Sequence, residues 1–166
     1  MTVERTLARV DDDLRKGDVA MARTRLTSLV QSLPHSLDAR ERLAEVCRLD
    51  GDEVEAGRWS YLSEQRDTAE VAAFERACGD DPRRIMRGLR WRGAEDLAAN
   101  GLAEQRLREV RSRAEAAAGK TLDWSDRGRG TEPASDRLFA VGCSAAVLVL
   151  VALVVIGAVT VVGWIF

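Results

Sequence analysis

The sequence is poor in the residues that most often carry chemistry. It has one histidine, His35, and two lysines in 166 residues. His35 follows Pro34, and a lone histidine in a turn is expected as a solvent-exposed residue, not a base or ligand. The three cysteines, Cys47, Cys78 and Cys143, are odd in number and far apart. No pair has metal-ligand spacing, so they read as free thiols in a reducing compartment, buried as free cysteines usually are. No phosphate-cradling glycine loop, nucleophile elbow or H-E-x-x-H pattern occurs. "DDD" at Asp11–Asp13 could hold a cation, but neighbouring residues on a helix point in different directions, which favours a solvated acidic face. These absences point away from an enzyme. No catalytic residue, cofactor or metal site is expected.

The last 29 residues, Leu138–Phe166, lack charge altogether. About 20 residues at ~1.5 Å rise already cross a ~30 Å hydrocarbon core. Within the run only Ser144 and Thr160 carry polar groups, and both can bond their own helix backbone. A transmembrane helix over 138–166 is therefore expected, with residues 119–137 as a polar linker. The chain's first stretch, "MTVERTLARVDDDL", is charged throughout and cannot serve as an export signal. Arg127, Arg129 and Arg137 precede the run and no Lys or Arg follows it, which places the N-terminal side in the cytoplasm. The expected location is the cell membrane, single-pass and tail-anchored. Gly142 and Ala146, four apart, could let two such helices approach closely, a weak signal for a homodimer.

The rest of the chain reads as helices. Val3, Leu7, Val10 and Leu14 share one face. Gly17 stops that helix and Asp18 caps the next, which carries Ala22, Leu26, Leu29, Val30 and Leu33 on its face before Pro34 ends it. Ser36 caps a third helix with Ala39, Leu43, Val46 and Cys47 inward. Gly51 and Asp52 then repeat the stop-and-cap pair 34 residues after the first. The helix that follows carries Val54, Ala56, Trp59, Tyr61 and Leu62.

Thirty-four is the period of tetratricopeptide repeats. From Gly17, Ala22, Leu26, Leu29 and Pro34 all fall where that repeat wants small, apolar, apolar and proline residues. From Gly51 only Ala56 does. Residues 3–34 and 37–66 thus resemble two degenerate tetratricopeptide hairpins, although an ordinary set of four helices could share these turns. Two such units fall short of a stable array, so the helices over 69–118 should complete the core, with any groove at the junction. Among them, Asp81 should cap a helix begun by Pro82. A long helix should run through Leu102, Leu107, Val110 and Ala114. Leu122 and Trp124 could dock on it.

The stretches "RLAEVCRLDGDEVEAGRWSYL", "AFERACGDDP", "LRWRGAEDLA" and "GKTLDW" resemble an uncharacterised family of small actinobacterial proteins, known as a domain of unknown function. The resemblance spans most of residues 3–124, leaves out the apolar run, and brings no activity with it.

The expected fold is therefore all-α, with tetratricopeptide-like hairpins and extra helices over 1–118 ahead of the anchor. Charge divides the chain: residues 1–81 carry a net −6 and residues 82–137 a net +4. Arg83, Arg87 and Arg90 fall at i, i+4 and i+7, with Arg84 beside them. That stripe could touch an acidic partner, anionic lipid or a phosphate backbone, but a solvated face paired with the domain's own acids is the stronger reading. Trp59 and Tyr61 could line a partner groove, though core packing is favoured. The function expected is a tail-anchored scaffold or adaptor that binds a cytosolic protein. The alternative is a membrane-surface regulator that binds lipid or nucleic acid through the arginines, with nucleic acid the lesser of the two.

Overall fold

The computed structural model describes residues 3–125; the apolar run 138–166, its Gly142 and Ala146, and most of the linker lie outside them. The described residues form seven α-helices and one short 3-10 helix, with no strand among them. The helices are α1 (Val3–Arg15), α2 (Val19–Ser32), α3 (Leu37–Leu49), α4 (Glu53–Ser60), α5 (Thr68–Ala77), α6 (Pro82–Gly88) and α7 (Gly101–Ala118). The 3-10 turn is Glu95–Leu97. No helix among the described residues is long and apolar enough to cross a membrane.

Sequence neighbours are spatial neighbours. From α1 to α5 each helix packs on the next, and α6 packs on α7. Short turns force this order, because a helix with one apolar face must bury it against whatever the turn brings alongside.

The two turns 34 residues apart adopt the same geometry. Gly17 and Gly51 take φ of +77° and +74°, a left-handed conformation that costs glycine little. Asp18 and Asp52 then cap α2 and α4, each accepting at 3.0 Å from the N–H three residues on. Their own N–H groups reach back to the carbonyls of Asp13 and Cys47 at 2.8 and 2.9 Å. Ala22 and Ala56, five residues after each glycine, are both fully buried. Sequence repetition here is repetition of a cap, a turn and a packing contact.

A third turn uses the same device with one residue added. Gly79 has φ of +67° and Asp80 follows at +52°, so the capping carboxylate moves one place on to Asp81. The 34-residue spacing is lost and the stop-and-cap chemistry survives.

Burial divides into two clusters. One gathers Val10, Leu26, Leu43, Val46, Trp59 and their neighbours from α1–α4. The other runs from Tyr61 to Trp124 and includes Phe74, Ile85, Leu89, Trp91 and Leu107. Where α4 meets α5, Gly57 lies so close that a Cβ would sit 2.0 Å from the Glu70 carbonyl oxygen. That contact demands glycine.

The core does not stop with α7. Gly119 ends that helix at φ +65°, and the chain turns back. Trp124 is buried in the second cluster, with Leu122 packed against its edge, as "TLDW" suggested.

Candidate functional site

Arg40 lies between the two clusters and is only 1% exposed. Among the described residues no carboxylate lies within 4.0 Å of it. Its Nε donates to the Pro34 carbonyl at 2.9 Å, Nη1 to Leu89 at 3.0 Å and Nη2 to Arg90 at 3.4 Å. Its guanidinium also sits 5.5 Å from the ring centres of both Trp59 and Trp91. One tryptophan belongs to each cluster, so the cation is shared by both cores. Burial pulls its pKa down to about 10, which leaves it charged at neutral pH.

His35 holds the same joint from outside. It is half-buried, hydrogen-bonds the Arg92 carbonyl through Nε2, and packs on Trp91 with ring centres 4.9 Å apart. The exposed turn residue expected from the sequence is instead a clamp. An adjacent Pro34 hides this, because its contacts come from residues more than fifty positions away.

Beside Arg40 opens a cleft of about 340 Å³. It lies between the start of α3, the end of α4 with the turn after it, and the residues just before α7. Leu37, Trp59, Leu62 and Ala99 supply its apolar lining. Asp38, Glu41 and Glu64 supply exposed carboxylates. This is the junction between the two paired hairpins and the later helices.

Trp59 and Tyr61 are both buried, at 5% and 4% exposed. Trp59 borders the cleft, and its indole N–H donates to Glu55 at 2.9 Å. Tyr61 belongs to the second core, edge-on to Phe74, with its hydroxyl 2.8 Å from Glu75. Burial pushes that hydroxyl's pKa up to about 12. Two residues apart in sequence, these rings serve different cores.

The arginine stripe is broken. α6 ends at Gly88, and Arg90 lies beyond it with φ of +51°, so the i, i+4, i+7 alignment does not hold. Arg83 and Arg84 both pair with Asp81, at 3.2 and 3.9 Å. Arg87 turns its Nε to the Arg83 carbonyl at 3.3 Å. On α7, Arg108, Arg111 and Arg113 pair with Glu104, Glu95 and Glu75. Most of this positive charge is answered by the domain's own acids.

The acidic triplet diverges too. Asp11 meets Arg42, Asp12 meets Arg15 and Lys16, and Asp13 meets Arg25. Among the described residues no group of three potential metal ligands converges. Cys47 is fully buried and burial raises its pKa to about 11, which disfavours the reactive thiolate. Cys78 is half-buried and raised in the same way.

A family model described as a family of unknown function (DUF6584) matches residues 1–163, and the chain belongs to that family. The match runs through most of the apolar run, well past residue 124, where the resemblance was expected to stop. No curated protein and no solved structure matches the chain.

Proposed function

We propose, from membership in a family without an assigned function, that the chain is a tail-anchored membrane protein whose cytoplasmic helical domain binds another protein and holds it at the bilayer. The single observation that carries the binding role is the cleft at the junction of the two cores, with apolar lining below exposed carboxylates. Clefts between packed elements are where proteins receive ligands and peptides. The two matching turns support a tetratricopeptide-like pair of hairpins, an architecture suited to presenting such a surface. The anchor rests on the 29 uncharged residues and on the arginines that precede them. The role is adaptor or scaffold, without catalysis.

A second reading draws on one observation. Arg90 and Arg92 are exposed and have no carboxylate within 4.0 Å among the described residues. They could meet anionic headgroups at the membrane surface.

One experiment separates these readings. A photo-crosslinking amino acid is placed at Gln65, beside the cleft, or at Arg92, in the full chain in native membranes. The first reading expects a discrete protein adduct from Gln65 and a chain that resists carbonate washing. A chain that washes off overturns the anchor. Lipid adducts from Arg92 with none to protein from Gln65 favour the surface regulator.

A further inference from the structure

We propose that the cleft receives a short basic and apolar segment of a partner protein. An arginine or lysine of that segment would lie among Asp38, Glu41 and Glu64, and a neighbouring apolar side chain would rest on Trp59 and Leu62. This deepens the binding role above and rests on it.

The argument comes from how arginines are spent around the molecule. Many of them neutralise carboxylates. Arg23 spans Asp50 and Asp52 at 2.5 and 2.6 Å, Arg25 holds Asp13 at 2.6 Å, and Arg48 grips Glu70 at 2.6 Å. Three arginines near the cleft donate to backbone oxygens instead, while Arg58 beside Trp59 pairs with Glu55 at 2.7 Å. Arg40 serves the Pro34, Leu89 and Arg90 carbonyls, Arg66 the Tyr61 carbonyl at 3.2 Å, and Arg106 the Ser63 carbonyl. The rim carboxylates are left without a cation within 4.0 Å among the described residues. Glu41 accepts only a hydroxyl, from Ser63 at 2.9 Å.

Three carboxylates without an ion-pair partner therefore border one concavity with an apolar lining, which the charged Arg40 also lines. An incoming cation is drawn to carboxylates that no ion pair satisfies, while the Arg40 charge stays committed to its three carbonyls. The apolar surface rewards a segment that also carries a hydrophobic residue. Acid-rich segments would meet the same field as a barrier, so the site discriminates by sign.

The test measures fluorescence anisotropy with the full chain in non-ionic detergent micelles, with empty micelles as the blank. The probe is a fluorescein-labelled pentapeptide of alternating leucine and arginine; its counterpart carries glutamate at the arginine positions. The arginine peptide should bind, and more weakly as salt rises. The double variant Asp38→Lys, Glu64→Lys should weaken binding by at least about tenfold. Glu53→Lys should leave it unchanged, since Glu53 lies at the opposite end of α4 from Trp59. All three substituted residues are exposed, and unchanged circular dichroism verifies folding. Equal binding of the glutamate peptide overturns the proposal. So does an equal loss in Glu53→Lys, or no arginine-peptide binding at about 1 mM, the weak end of the affinity scale. A protein adduct from Gln65 without arginine-peptide binding removes only the basic partner. Peptide binding by a chain that carbonate strips from membranes removes only the anchor.

Discussion

The first four helices and the segment after them solve the same packing problem with different parts. In the first region three helices of 13 or 14 residues and one of 8 share two matching turns, and small residues such as Ala22, Ala39, Ala44 and Ala56 are buried at or near zero exposure. Regular spacing lets small side chains close the gaps. In the second region helices of 10, 7 and 18 residues follow, and Asp80 and Arg90 stand at positive φ in the connections between them. Aromatic bulk fills the core here: Tyr61, Phe74, Trp91 and Trp124 are all buried in it. Each polar aromatic atom then needs a partner. Tyr61 donates to Glu75, Trp91 to the Ala94 carbonyl at 3.2 Å, and Trp124 to Glu95 at 2.7 Å.

Breaking the joint between the regions tests the comparison most severely. Arg40→Ala removes the donor to three carbonyls and opens space between Trp59 and Trp91, so a loss of about 4 kcal/mol is expected. The readout is urea unfolding followed by circular dichroism and by tryptophan fluorescence. The two probes, coincident in the parent, should separate as the regions uncouple.

Next comes the close approach at α4 and α5. Gly57→Ala should cost about 3 kcal/mol, because its new methyl meets backbone that cannot rotate away. Gly101→Ala, with nothing within 4 Å, should be neutral or slightly stabilising. Thermal melts of both variants supply the contrast, and equal melting temperatures would refute it.

The paired caps sharpen the claim of equivalence within the first region. Asp18→Ala and Asp52→Ala should each cost about 1 kcal/mol by losing one bond to a helix N–H. Asp52 should cost slightly more, since it also holds Arg23. A several-fold difference between them would show that the matching geometry hides unequal energetics.

Acid gives the smallest effect. Partial burial raises the Asp52 carboxyl, but the Glu55 N–H and Arg23 outweigh it and hold its pKa below the ordinary value. Asp81 is lowered chiefly by its bond to Arg83. Both are stronger acids folded than unfolded. Their contribution is complete above about pH 5 and drains away as pH falls through the folded values. Melting temperatures measured down to about pH 2 should fall less steeply for Asp52→Asn than for the parent.

Helix positions were legible in the sequence because turns and caps are local devices. Gly17–Asp18, Ser36, Gly51–Asp52 and Asp81–Pro82 each signal a boundary within four residues, and the structure places a cap at every one. Arg40 was missed, yet a signal existed. It precedes Leu43, Ala44 and Cys47 by three, four and seven residues, which puts it on their buried face. Charge argued against burial, and its carbonyl partners at Leu89 and Arg90 are about fifty positions away. Glu95 hid for the same reason: its indole and arginine partners come from residues 124 and 111. The cleft was legible only as a place, the junction of early and late helices. Its unanswered carboxylates emerge only when every arginine's partner is known.

The buried end of the described chain has a mechanical consequence. Trp124 hangs from Glu95, which Arg111 also grips at 2.8 Å, and the Leu122 N–H is held by Glu115 at 3.0 Å. Tension applied beyond residue 125 therefore reaches this knot before it reaches α7 as a whole. The first event under load should be extraction of one indole and release of the short strap from Gly119 to Trp124, a small and reversible yield. The helices behind it would keep their shape while the strap takes up slack.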